Sequence, residues 1–181
     1  MAYEKEIKII KKGGIGVFPT DTLYGIVGNP FLKDTVERIY TEKGRSKQKP
    51  FIILISSIND IKKFGIILNK KQKEYLATVW PGAVSVILPC KAKKFEYLHR
   101  GKDSLAFRLP KKKKVIEFLK KTGPLVAPSA NPQGLLPAHT IAEAKDYFGS
   151  DVDFYISGGL LDSKPSKIVF LTEKGVKVLR D

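Results

Sequence analysis

Apolar residues along this chain fall into short runs cut by polar turns, and the runs carry two different spacings. In EKEIKIIKK (4–12), Ile7 and Ile10 lie one turn apart among charged residues, which predicts a short helix stopped by Gly13 and Gly14. IGVF (15–18) has no such gaps and reads as a buried strand, cut off by Pro19 and the polar segment Thr20-Asp21-Thr22. Asp34 stands where it would cap a helix TVERIYTEK that ends at Gly44. FIILI (51–55) follows Pro50 as a fully apolar strand. Polar residues 56–60 then lead into helical material reaching about Trp80, with Gly65 as a break.

The second half keeps the alternation. Ala83–Leu88 and Leu105–Leu109 read as strands joined through a lysine-rich segment, and lysines 111–114 lead into a helix VIEFLKK stopped by Gly123-Pro124. LVAP (125–128) is a short strand that delivers Ser129-Ala130-Asn131 at its end. Thr140 is an N-cap for IAEAKDYF, with Glu143 completing a capping box and Gly149 ending the helix. Short strands are expected near Val152–Ile156, Lys167–Leu171 and Val176–Leu179. Apolar strands alternating with helices give an α/β class whose central strands are covered on both faces. A chain of 181 residues without repeat or long linker is expected to form one domain over 1–181.

Composition narrows the partners. No apolar run approaches the roughly 20 residues needed to cross a membrane, and the charged start carries no secretory pattern. The lone Cys90 excludes an internal disulfide and a cysteine-only metal cage, and is compatible with a reducing cytoplasm. The balance of 33 Lys plus Arg against 18 Asp plus Glu, +15 in all, favours polyanions and anionic substrates. Only five of those cations are arginines, at 38, 45, 100, 108 and 180, and arginine's rigid fork suits defined recognition of carboxylate or phosphate.

Candidate chemistry sits where polar segments follow apolar runs. Thr20-Asp21-Thr22 and Ser129-Ala130-Asn131 carry compact hydroxyl, carboxylate and amide groups, which either hold a small polar substrate or simply make turns. Lys43-Gly44-Arg45-Ser46-Lys47-Gln48-Lys49-Pro50 is the strongest anion-binding segment; the plain alternative is a solvated basic turn. Arg108, inside the apolar LAFRLP, needs solvent or a partner, the partner being either a ligand or a protein carboxylate. With two histidines and no CxxC or HExxH, no zinc site is expected, and neither a dinucleotide fingerprint nor a Walker loop is present.

Taken together and in order, FPTDTLYG (18–25), KGR (43–45) with Pro50, and APSANPQG (127–134) resemble the YrdC-like family of threonylcarbamoyl-adenylate synthases. WPGAVSVIL (80–88), LAFRLP (105–110), Pro165-Ser166 and the terminal VLR extend the likeness over essentially the whole chain. There are departures. Ser46 and Ala83 stand where the family often has proline, Pro132 where a small polar residue is common, Gln133 at a serine position and Lys167 at a threonine position.

The resemblance implies a twisted, open mixed sheet with flanking helices around a large concave cavity. It implies magnesium-dependent condensation of L-threonine, bicarbonate and ATP, with Mg2+ bound mainly through ATP rather than by protein ligands. The product would serve t6A modification at adenosine 37 of tRNA, completed by a separate t6A transferase, in the cytoplasm. Affinity for tRNA or double-stranded RNA is also implied. Carried onto this chain, Lys43 and Arg45 become catalytic residues, and Thr20, Lys43, Arg45, Arg108 and Ser129 bind substrate. Ser85, Ser129, Asn131 and Ser166 bind nucleotide. Two other readings remain: an RNA-binding module without adenylation, or a related small-substrate carbamoyl-adenylate enzyme.

Overall fold

A computed structural model describes residues 3–173 and 175–181. Helix α1 (Glu4–Lys11) buries Ile7 and Ile10 and leads into β1 (Gly16–Pro19) and its hairpin partner β2 (Tyr24–Val27). Next come α2 (Lys33–Glu42), β3 (Ile52–Leu54), a 3-10 segment (Ile58–Phe64) and α3 (Lys70–Val79). Strand β4 (Val84–Pro89), α4 (Glu96–His99) and β5 (Ser104–Arg108) precede α5 (Lys113–Thr122) and β6 (Leu125–Val126). The chain closes with α6 (Ile141–Phe148), β7 (Phe154–Tyr155), β8 (Lys167–Thr172) and β9 (Gly175–Arg180).

The strands make a mixed sheet in two parts, β2-β1-β7 and β6-β3-β5-β4-β8-β9. Bridges at Gly25↔Ser129 and Gly28↔Val126 join β2 to the β6 segment, so pairing runs almost unbroken from β7 to β9. The apolar runs of the sequence are explained by strand parity. Ile53 and Ile55 face one core cluster while Leu54 faces the other; Val17 and Phe18, and Leu125 and Val126, divide the same way. Helices α1 and α5 pack together over the smaller cluster, where Phe18 stacks on Phe118 at 4.4 Å between centroids. This is an α/β fold with a mixed sheet and flanking helices. No helix among the described residues is long and apolar enough to cross a membrane.

Several local expectations are corrected. Strand β2 lies in a stretch without a predicted element, and residues 93–99 form a 3-10 turn and α4 inside the lysine-rich connection. Helix α2 starts before Asp34: Leu32, in extended backbone, is the N-cap, and Asp34 falls in the first turn. There its charge still favours the helix dipole. Thr140 does cap α6, accepting from the Glu143 N–H at 3.2 Å, but the Glu143 carboxylate bonds the His139 N–H instead of closing a box on Thr140.

Candidate functional site

A cavity of about 300 Å³, open to solvent, is lined mainly by four groups of residues, some of them brought together from distant parts of the chain. The first is the turn after β1. Thr20 is buried, and its hydroxyl donates to the Leu23 carbonyl at 2.7 Å and accepts from the N–H groups of Thr22 and Leu23. Its oxygen therefore shapes the turn as well as reaching the cavity, and Thr22 lines the wall beside it. Asp21 accepts from the Lys111 N–H at 3.0 Å and lies 2.8 Å from the Arg108 guanidinium, both side chains being largely buried. Burial lowers the Arg108 pKa from its ordinary value, and the Asp21 charge opposes that shift. Of the fates open to Arg108, the structure shows a protein carboxylate, at a position that still borders the cavity.

The second segment follows α2. Lys43 is the C-cap and Gly44 takes the left-handed conformation at φ 55°. The Gly44 N–H returns to the Thr41 carbonyl and the Arg45 N–H to the Tyr40 carbonyl. These are the paired bonds of a Schellman ending, and they explain why Lys-Gly-Arg delivers Arg45 sharply away from the helix. The Arg45 Nε donates to the Lys49 carbonyl at 3.2 Å, which also accepts from the Tyr40 hydroxyl at 3.1 Å, and the guanidinium lies 5.5 Å over the Phe51 ring. Burial lowers its pKa, with Tyr40 opposing. Among the described residues no carboxylate pairs with Arg45.

The third segment is Ala127–Asn131. Ser129 lines the cavity, and its hydroxyl donates to the Asn131 side-chain oxygen at 2.6 Å. Lys43 lies behind it, 2% exposed, with its ammonium bound to the main-chain oxygens of Ser129 and Asn131. Three acceptors favour the charged amine; burial first and the Arg45 charge second oppose it and bring the pKa down to about 7. The fourth segment is Pro165-Ser166 with Ile168 and Arg180. The Ser166 hydroxyl meets that of fully buried Ser85 at 2.8 Å, and its carbonyl accepts from Arg180 Nε and Nη2 at 3.1 and 2.6 Å. Tyr24 ties down the approach to this segment by donating to the Gly159 carbonyl and accepting from the Gly158 N–H.

Of the residues singled out in the sequence, Thr20, Arg45, Arg108, Ser129 and Ser166 share one cavity wall. Lys43, Asn131 and Ser85 stand one layer behind, in contact with Ser129 or Ser166. Thr22, named in the sequence only as part of the 20–22 segment, joins the cavity wall, and Arg180 is an addition. Arg180 was visible as one of five arginines, but its approach to Ser166 depends on the β8–β9 pairing, which short edge runs do not disclose. Among the described residues no group of three His, Cys, Asp or Glu side chains is placed to hold a metal, and the cavity wall carries no carboxylate.

Comparison with known proteins identifies the family and the fold. Residues 8–181 match the Sua5/YciO/YrdC family model, whose description reads "Telomere recombination". A Hahella chejuensis protein named threonylcarbamoyl-AMP synthase is 32% identical over 91% of both chains. A Bacillus subtilis protein of the same name is 32% identical over 88% of this chain and 45% of its own. The crystal structure of P. abyssi Sua5 complexed with L-threonine superimposes with a TM-score of 0.90 at 26% identity, covering 97% of this chain and 52% of that one. The chain thus spans about half the length of these longer relatives. MTH1692 from Methanobacterium thermoautotrophicum matches at TM-score 0.77 and 30% identity, over 98% of this chain and 85% of its own. With nearly its whole length matched, the chain belongs to the Sua5/YciO/YrdC family.

Proposed function

We propose that this chain is an L-threonylcarbamoyladenylate synthase, which joins L-threonine, bicarbonate and ATP into threonylcarbamoyl-AMP and pyrophosphate for t6A modification of tRNA. Relatives of that name and a homologue bound to L-threonine support the reading. The observation that carries it is a single cavity bordered by Arg45, which has no carboxylate partner among the described residues, by Arg180 and by the hydroxyls of Thr20, Thr22, Ser129 and Ser166.

In this mechanism the threonine amine adds to bicarbonate with loss of water, giving a carbamate. A carbamate oxygen then attacks the α-phosphorus and pyrophosphate leaves on the opposite side. Two anions must approach each other, so the guanidinium groups of Arg45 and Arg180 offset their repulsion. Ser129 and Ser166 orient the adenylate, while Thr20 and Thr22 frame the amino acid. Lys43 acts indirectly, by fixing the Ser129 and Asn131 main chain. Asp21, committed to Arg108 and the Lys111 N–H, is not assigned a proton. Magnesium, carried on the ATP phosphates, would neutralise their charge, and an arginine- and hydroxyl-lined wall without carboxylates fits a metal that arrives with its nucleotide. The +15 charge of the chain supports affinity for tRNA as a further partner.

The test is magnesium-dependent pyrophosphate release from ATP, with threonine and bicarbonate omitted in turn. Release should need both; release indifferent to both omissions contradicts the reaction.

A further inference from the structure

The turn that carries Arg45 is held from outside the cavity by Gln133. The Gln133 main-chain N–H donates to the Lys43 carbonyl at 2.7 Å, and its side-chain Oε1 accepts from the Ser46 N–H at 2.9 Å. Its two partners stand two residues before Arg45 and one residue after it, so a single residue grips the backbone on both sides of the arginine. Lys43 returns the contact from within, through its ammonium and the carbonyls of Ser129 and Asn131. The 43–46 and 129–133 turns are thereby tied at an inner and an outer face, with Arg45 between them.

Proline at 46 would fix its own φ and have no N–H to offer. Serine leaves φ free and supplies the donor that Gln133 takes up. The hydrogen bond from Ser46 to Gln133 thus supplies stiffness that the free φ of serine does not.

We infer that Gln133 is a positioning residue for Arg45, its side-chain oxygen holding the Ser46 N–H and keeping the guanidinium on the cavity wall. Its effect on turnover rests on the synthase reading; the grip itself does not. Gln133 is exposed and outside the cavity, so its removal is expected to leave the fold intact.

The experiment combines amide hydrogen exchange at Ser46 with steady-state kinetics for Gln133→Leu and Gln133→Glu, each made also in a Ser46→Pro background. With Ser46 present, Gln133→Leu should speed exchange of the Ser46 amide about fivefold, the factor expected for one net hydrogen bond. It should lower kcat/KM by a similar factor with an unchanged melting temperature. Gln133→Glu, which keeps an acceptor at the same reach, should restore slow exchange. In the Ser46→Pro background, where the donor is gone, Gln133→Leu should have no further effect. Equal kinetic loss in both backgrounds, or faster exchange with unaltered kcat/KM, overturns the positioning role. Unchanged Ser46 exchange overturns the grip. Should the parent chain release no pyrophosphate with threonine, the synthase reading falls, while the exchange result still decides the grip.

Discussion

Arg108 and Arg45 border the same cavity, yet they are built in opposite ways. Arg108 is on a strand, 4% exposed, and its charge is met by Asp21, which is held in turn by the Lys111 N–H. Arg45 is half-buried on a turn, rests on Phe51 and shares the Lys49 carbonyl, and no described carboxylate meets it. The first arrangement presents an already neutralised pair. The second keeps a cation partly desolvated and available, which strengthens its attraction to an incoming anion. The cavity thus has a rigid paired side and, among the described residues, a side whose cation meets no carboxylate.

The largest expected effect tests the paired side. Arg108→Ala leaves the largely buried Asp21 carboxylate without its cation and should cost about 3 kcal/mol in urea unfolding. The double change Asp21→Asn/Arg108→Met should recover most of that. A neutral Arg108→Ala would mean that the pair contributes nothing to the fold.

Next is the pH dependence of the buried amine behind the unpaired side. The Lys43 pKa is lowered from 10.5 to about 7, so above 7 the unfolded chain holds a proton that the folded chain has released. Stability arising from this group therefore rises with pH across 7 to 10.5 and is flat below 7. Relative to Lys43→Met, the wild type should gain up to ~1.4 kcal/mol per pH unit between pH 7 and 9. A pH-independent difference would show that the amine keeps its proton throughout.

Smaller effects sharpen the boundary between wall and support. Tyr24→Phe removes two bonds to the Gly158-Gly159 segment and should cost about 1–2 kcal/mol, read as a lowered melting temperature. Ser85→Ala, beneath Ser166, should leave the KM for ATP and threonine within about twofold, at a stability cost near 1 kcal/mol. A large rise in KM would move Ser85 from support to direct contact.

Much of the fold was legible because it rests on local patterns. Ile7 and Ile10 marked α1, and Gly44, Gly123 and Gly149 marked helix ends. The continuous FIILI run reflected a strand buried on both faces. Strand β2 escaped because YGIV is only four residues, follows a polar turn and is interrupted by Gly25, leaving too short an apolar run to detect. The capping role expected of Asp34 failed because the helix could begin without any side-chain cap. At the site, Lys-Gly-Arg pointed to a cationic turn, but sequence order could not separate the arginine on the cavity wall from the lysine folded behind it. That division depends on carbonyls at 129 and 131, far along the chain. The pairing of Arg108 with Asp21 is similarly remote, since it joins β5 to the turn after β1.

The most direct measurement is a calorimetric titration of magnesium-ATP, in the presence of L-threonine, into the wild-type chain and into Arg45→Ala. Removing the unpaired guanidinium should weaken ATP at least about tenfold, the loss expected for charged hydrogen bonds, while the thermal melt stays in place. An Arg45→Ala chain that binds ATP as tightly as the wild type would contradict the assignment of Arg45 as the cavity's anion receptor.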